Sequence, residues 1–197
     1  MPLPRRTWVQ GDSVMAGAGP TVTAALQADG WQGIATGWPG LHLWAAIPLL
    51  EQIKPQIGPV VVIELGDNDC CDGGAFGQLI DQTMRVLSGV HVIWLTGTGT
   101  RPGQSNTYDA IRAAAARWPN LEVGDWAAVV RAHPDAVWSD GVHLTTTGVN
   151  LLASFIRSLL DGWYERMGGP AYPVGLPYGS APDVAPDGAR LSNGAVM

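Results

Sequence analysis

The sequence predicts an α/β fold in which a parallel sheet carries helices on both faces. Three observations point there. Short apolar segments alternate with helical periodicity about five times along the chain, the pattern of repeated βαβ units. Two of those segments, Val60–Leu65 (VVVIEL) and Val90–Leu95 (VHVIWL), are near-continuous apolar runs, as strands covered on both faces require. The 197 residues are 46% hydrophobic and only 14% charged, against about 25% charged in an average domain. That balance suits one buried core and excludes a wholly disordered chain or a coiled coil.

Each element follows from local pattern. Thr7–Gly11 (TWVQG) is short, apolar and closed by glycine, a first strand. Val14 to Asp29 places Met15, Val22, Ala25 and Leu26 at helical spacing, with Gly30 as a stop. Trp31–Ala35 reads as a second short strand. Leu41 to Ile53 is apolar at Leu41, Trp44, Ala45, Ile47 and Leu50, a helical face expected to end before Pro55. Ala75–Leu87 is again helical, between the two buried strands. Ser105 is expected to cap a helix that runs through Trp118 and includes Ala113–Ala116. Leu121–Val123 is a short strand, and Thr146–Met167 a long final helix with Leu151, Leu152, Phe155, Ile156, Leu159 and Leu160 on its apolar face.

The domain is expected to span residues 1–168. From 169 to 197 the chain turns rich in Pro and Gly and loses periodicity, which reads as a tail with Tyr172, Leu176 and Tyr178 as its anchors. A net charge of −6 without a basic patch argues against a nucleic-acid partner. No run of about 18 apolar residues is present, so no transmembrane segment is expected. Met1–Thr7 has two Arg but no apolar stretch behind it, so no signal peptide is expected. Cytoplasm is the default compartment, with release by a non-secretory route, such as a virus particle, as the other option. Cys70 and Cys71 are adjacent, where a bridge would be strained and close almost no loop, so both are read as reduced thiols.

Parallel sheets of this kind place their chemistry at the carboxyl ends of the strands. The first strand ends in Gly11-Asp12-Ser13, with a helix following, so Ser13 would sit where backbone N–H groups converge. Asp12 or Ser13 could equally serve only as a helix cap. The second strand leads into Gly37 and Gly40, where a backbone N–H can approach a ligand closely. The third ends in Gly66-Asp67-Asn68-Asp69, and an asparagine there can aim its amide at an oxyanion. Asp67, Asp69 and Asp72 before Gly73 hint at a calcium loop, but the spacing is off by one and the closing Glu is missing. Late in the chain, Asp140-Gly141-Val142-His143 sets a carboxylate three residues before a histidine, which can hold Nδ1–H and leave Nε2 free to take a proton. His42, His91 and His133 have no such partner and read as structural. Serine, backbone N–H, Asn amide, Asp and His together are the inventory that acyl transfer requires.

These residues resemble the SGNH (GDSL-type) hydrolase family. Its first block appears as Gly11-Asp12-Ser13-Val14, with Val where the name-giving Leu stands; its third as Gly66-Asp67-Asn68-Asp69; its fifth as Asp140-Gly141-Val142-His143. The second block is looser, because Gly33–Gly37 lacks the family's upstream Asn; Gly37 is assigned there over Gly40. The resemblance implies a flavodoxin-like three-layer α/β/α sandwich with a five-stranded parallel sheet. It implies Ser13 as nucleophile, His143 as general base and acid, and Asp140 as its orienting partner. Ser13 N–H, Gly37 N–H and the Asn68 side chain would hold the oxyanion. No metal or organic cofactor is implied. No G-x-S-x-G elbow is present, which disfavours the α/β-hydrolase alternative. The expected function is hydrolysis of a short-chain ester, such as an O-acetylated carbohydrate, with Trp38 and Trp44 as a stacking wall or as core. The other readings are acyl transfer at the same site, or a silent binding module that docks through its tail.

Overall fold

Val60–Ile63 are fully buried in the computed structural model, and successive side chains point to opposite sides of one sheet. The structure describes residues 3–69, 72–98 and 102–169. The predicted tail beyond Gly169, with Tyr172, Leu176 and Tyr178, and the pair Cys70–Cys71 lie outside the described residues. The elements run β1 (Arg6–Gly11), α1 (Ser13–Ala28), β2 (Gln32–Gly37), α2 (Leu43–Ile57), β3 (Val60–Glu64), α3 (Gly73–Val86), β4 (His91–Leu95), α4 (Gln104–Ala115), β5 (Leu121–Gly124), α5 (Trp126–Ala132), a single 3-10 turn (Pro134–Ala136) and α6 (Thr146–Arg166). The five strands form one parallel sheet in the order β2-β1-β3-β4-β5.

The alternation of the strands divides the core into two layers. Val9, Val60, Val62, Ile93 and Leu95 pack against α1, α5 and α6 through Val22, Trp126 and Ile156. Val61, Ile63, Val92 and Trp94 pack against α2, α3 and α4 through Leu50, Ile80 and Ile111. A near-continuous apolar strand is thus the cost of having both faces covered, and it explains the low charge of the chain. Arg5 and Trp31 close the far end of the first layer: Arg5 Nη2 lies 2.5 Å and Trp31 Nε1 2.9 Å from Asp161 Oδ1.

Three expectations need correction. The second helix runs through Pro55 to Ile57 and also contains Pro48. Both prolines lie on its exposed face, where the carbonyls they leave unpaired face water, so neither ends the helix. Gly58, at φ 88°, ends it instead; a Cβ there would come within 2.6 Å of Arg6 O. The fourth helix begins after Gly103, with Ser105 inside its first turn and not at the cap, and ends at Ala115. Trp118 has left it to give its indole N–H to Asp81 at 2.7 Å. The short helix α5 was not expected from sequence; seven residues are too few for a periodic signal, and Asp125 caps it by accepting from Ala128 N–H.

Ile156 is fully buried between α6 and the sheet. Ile156→Ala is expected to lower stability by about 2–5 kcal/mol through lost burial and a cavity. In urea unfolding the midpoint should fall at unchanged slope; an unchanged midpoint would contradict the packing described.

Candidate active site

β1 lies between β2 and β3, and α1 and α2 leave the sheet to opposite faces. That junction is the crevice in which open parallel sheets bind ligands. Ser13 stands there as the first residue of α1, half-buried. Asp12 before it is fully buried, and its Oδ1 accepts from Val14 N–H at 3.0 Å, capping the helix. Gly11 is a strand residue without positive φ; glycine is needed for room, not for a sharp turn. A Cβ on it would lie 2.4 Å from Met15 Cβ and 2.5 Å from Glu64 Oε2.

The loop before α6 is folded back on itself. Val137 and Leu144 form an antiparallel bridge, Trp138 N–H donates to His143 O at 2.9 Å, and Gly141 N–H donates to Trp138 O at 2.8 Å. Gly141 has φ 70°, and its carbonyl accepts from Thr98 Oγ1–H at 2.7 Å, which ties the turn to the end of β4. Inside it, Asp140 Oδ1 accepts from the N–H groups of Val142 (2.9 Å) and His143 (3.0 Å). Its Oδ2 lies 2.7 Å from His143 Nδ1, and His143 Nε2 lies 3.1 Å from Ser13 Oγ. These N–H groups, Val142 first, and the imidazole hold the Asp140 carboxyl at about 2, below the usual carboxylate range. An ionised Asp140 fixes the proton on Nδ1, so Nε2 is the acceptor for the Ser13 hydroxyl. His143 and Asp140 are about half exposed (48% and 47%), and no helix or loop covers them among the described residues.

Asn68 joins this group from the loop after β3. Its Nδ2 lies 3.0 Å from Asp12 Oδ2 and 3.2 Å from Leu41 O. Gly37 does not join it. Along β2, Trp38 N–H donates to Gly11 O of β1, whereas Ala35 N–H donates to Thr23 Oγ1 of α1. Alternate N–H groups of a strand point opposite ways, so Gly37 N–H faces the open edge of the sheet with that of Ala35. Gly37 is glycine because a Cβ would lie 2.4 Å from Asp12 O. Gly40 is the one in open space, at φ 73°, in the turn beside Leu41, whose carbonyl meets Asn68.

The acidic run after β3 divides among different tasks instead of converging as a calcium loop. Asp69 Oδ2 accepts from Leu43 N–H at 2.9 Å and so caps α2, while its Oδ1 lies 3.2 Å from His42 Nδ1. Asp72 caps α3 through Ala75 N–H, and Asp67 accepts from Gln104 Nε2 at 2.8 Å. Sequence reading missed this partner of His42, which sits at the exposed start of α2 and not within an apolar helix face. It missed two further features. Asp12, Glu64 and Asp67, all buried, bring a carboxyl oxygen each to within 4.8 Å of one another. The lone acid that closes the apolar run VVVIE was the available signal. Trp138, 59% exposed beside His143, joins Trp38 (48%) and Trp44 (63%) as the exposed tryptophans of the described chain.

No family sequence model and no curated protein sequence matches the chain. Solved structures do. The C-terminal catalytic domain of peptidoglycan O-acetyltransferase A from Streptococcus pneumoniae superposes with a TM-score of 0.67 at 23% identity, over 83% of this chain and 96% of that one. A lipolytic protein of the G-D-S-L family from Veillonella parvula gives 0.65 at 17%, over 78% and 97%. A family 3 carbohydrate esterase from Clostridium thermocellum gives 0.65 at 14%, over 83% and all of that chain. The likeness first carried by three short motifs extends through the sheet and its helices: this chain has the SGNH (GDSL-type) hydrolase fold.

Proposed function

We propose that the protein is a serine esterase that hydrolyses short-chain carboxylic esters of neutral carbohydrates through an acyl-enzyme. The observation that carries this reading is the hydrogen-bonded line from Asp140 through His143 to Ser13 Oγ at a helix N-terminus. A serine hydroxyl is a poor nucleophile until a base takes its proton as it attacks. His143 Nε2 accepts that proton, and Asp140 stabilises the imidazolium that forms. The acyl carbonyl becomes a tetrahedral oxyanion on Ser13. Ser13 N–H and Asn68 Nδ2 are its donors, and Gly40 N–H is a better third than Gly37, whose amide faces the sheet edge. The oxyanion takes the Asn68 hydrogen now shared with Leu41 O, the longer of its two bonds. His143 then returns the proton to the leaving alcohol. Water repeats the sequence on the acyl-Ser13.

Access argues for hydrolysis over transfer, since nothing in the described chain shields the acyl-enzyme from water. It also argues for short acyl groups, because the described residues leave His143 half exposed and form no cover for a long alkyl chain. The alcohol side is read from the rim. Trp38, Trp44 and Trp138 keep their indoles exposed, whereas Trp8, Trp31, Trp94, Trp118, Trp126 and Trp163 are buried or half-buried. Indole faces stack on the apolar faces of sugar rings. The segments 11–17, 37–44, 66–69 and 137–145 contain Asp12, Asp67, Asp69 and Asp140 but no Lys or Arg, which favours a neutral glycan over an anionic one or a phospholipid head group.

A fluorophosphonate probe should label the wild type at Ser13. Ser13→Ala should lose at least about a thousandfold in kcat/KM on p-nitrophenyl acetate. Full activity in that variant ends the mechanism, and an unlabelled wild type favours the silent binding module. Asn68→Ala should cost about a hundredfold or more in kcat with little change in KM, as removal of an oxyanion donor does.

The rim has its own test. In Trp138→Ala, the ratio of kcat/KM on an acetylated neutral oligosaccharide to that on p-nitrophenyl acetate should fall about tenfold, equivalent to about 1.4 kcal/mol of lost stacking. An unchanged ratio removes Trp138 from substrate recognition, and a preference for decanoyl over acetyl esters removes the short-ester reading.

A further inference from the structure

Glu64 ends β3 as a carboxylic acid, 2% exposed, in a strand whose other residues are all apolar. Its register partner on β1 is Gly11. From there Glu64 reaches under the first turn of α1, where the backbone N–H groups of Asp12 and Met15 face its carboxyl. The charged groups that face it are Asp12, from the β1–α1 junction, and Asp67, from the loop after β3. No Lys or Arg is among them. The other residues against it, Gly11 and Met15, carry no charge.

Three carboxylates this close in an apolar interior cannot all stay ionised. Burial and the donors that reach each carboxyl bear on which of them takes a proton. Asp12 accepts from Val14 N–H and from Asn68 Nδ2, both at 3.0 Å. Asp67 accepts from Gln104 Nε2 at 2.8 Å. The backbone N–H groups of Asp12 and Met15 favour the ionised form of Glu64, yet its Oε2 is fully buried and has no hydrogen-bond partner. Burial raises Glu64 well above the usual carboxylate range, and the charges of Asp12 and Asp67 raise it further.

We propose that Glu64 is a positioning residue for the acyl-transfer site, a protonated acid beneath the nucleophile junction that leaves Asp12 ionised to aim the Asn68 amide at Ser13. The proposal rests on the esterase reading for its kinetic consequence but not for the proton itself. Gly11 completes the device: any side chain there would occupy the place of Glu64 Oε2. An ionised Glu64 would instead repel Asp12, and the bond that orients Asn68 would loosen.

The test uses the full chain with Glu64→Gln, which keeps the shape and can donate N–H in place of O–H, and Glu64→Ala, which cannot. The infrared difference spectrum of wild type minus Glu64→Gln at neutral pH should contain the C=O stretch of a protonated carboxyl; its absence overturns the proposal. A raised folded value means that the contribution of Glu64 to stability is present below its ordinary value of about 4.5 and is lost as pH rises toward the folded one. The Tm of Glu64→Gln relative to wild type should therefore climb as the pH is raised above about 4.5; a flat difference contradicts the buried proton. On p-nitrophenyl acetate, Glu64→Ala should lower kcat about tenfold in the wild-type background but less than about twofold in Asn68→Ala, because it acts through that amide. Glu64→Gln should recover most of the loss. Equal losses in both backgrounds would make Glu64 a purely structural residue. Should Glu64→Ala fail to fold, the spectrum and the Tm series still decide. Loss of probe labelling at Ser13 would end the esterase reading while the infrared band stands, so the two failures are separable.

Discussion

The Asp12 carboxylate is shut away from water and holds two groups that come from different parts of the chain. One oxygen takes Val14 N–H and starts α1; the other takes the Asn68 amide from the loop after β3. Both bonds lie in a dry place, and breaking either would leave a buried polar group unsatisfied. Through it, the hydroxyl of Ser13 and the amide of Asn68 are set by one rigid junction instead of by two independent loops. The remaining close contacts serve the same junction. Gly11 gives up its side chain to let Glu64 in, and Gly37 gives up its own to let the Asp12 carbonyl approach β2.

Strand order explains why the junction lies where it does. β1 is interior to the sheet, so its end is braced on both sides, and α1 and α2 diverge to opposite faces. The crevice that results is a property of the βαβ topology and precedes any side chain in it. The side chains then come to it from three separate segments: Ser13 after β1, Asn68 after β3, and Asp140 with His143 before α6. Asp140 and His143 are joined by hydrogen bonds within a single turn, which is why their geometry is secure despite half exposure.

Local rules carried the sequence reading far. Ser13, Asp140 and His143 are legible because each follows a strand or precedes a helix by a spacing that itself dictates geometry, and the structure places them in one hydrogen-bonded line, while Asn68 reaches the Asp12 carboxyl next to Ser13. Gly37 is assigned over Gly40 from sequence on a loose second block. The direction of its N–H depends on which residues of β2 pair with β1, and no local pattern carries that. The prolines of α2 misled for a related reason. Pro48 and Pro55 would break a buried helix, but they sit on a face open to water, and exposure is a tertiary property. Glu64 was passed over inside an apolar run because its partners, Asp12 and Asp67, are distant or masked by other roles in sequence. His42 was read as structural because its partner Asp69 is likewise remote along the chain.

The tryptophans show the two uses of a large amphipathic ring. Trp31, Trp94 and Trp126 are buried to within 2% and add area to the two core layers, where such rings contribute most. Trp38, Trp44 and Trp138 do the opposite and leave apolar surface in water, a cost the fold does not recover from its own contacts. Their positions argue that something else recovers it. Trp38 follows Gly37 at the end of β2, Trp44 stacks on His42 at the start of α2, and Trp138 donates its backbone N–H to the carbonyl of His143. On the proposed mechanism, the turn that moves the proton also holds one wall of the substrate site. A ring seated on Trp138 is then referenced to His143 through a single backbone hydrogen bond, so recognition of the alcohol and placement of the base are one constraint.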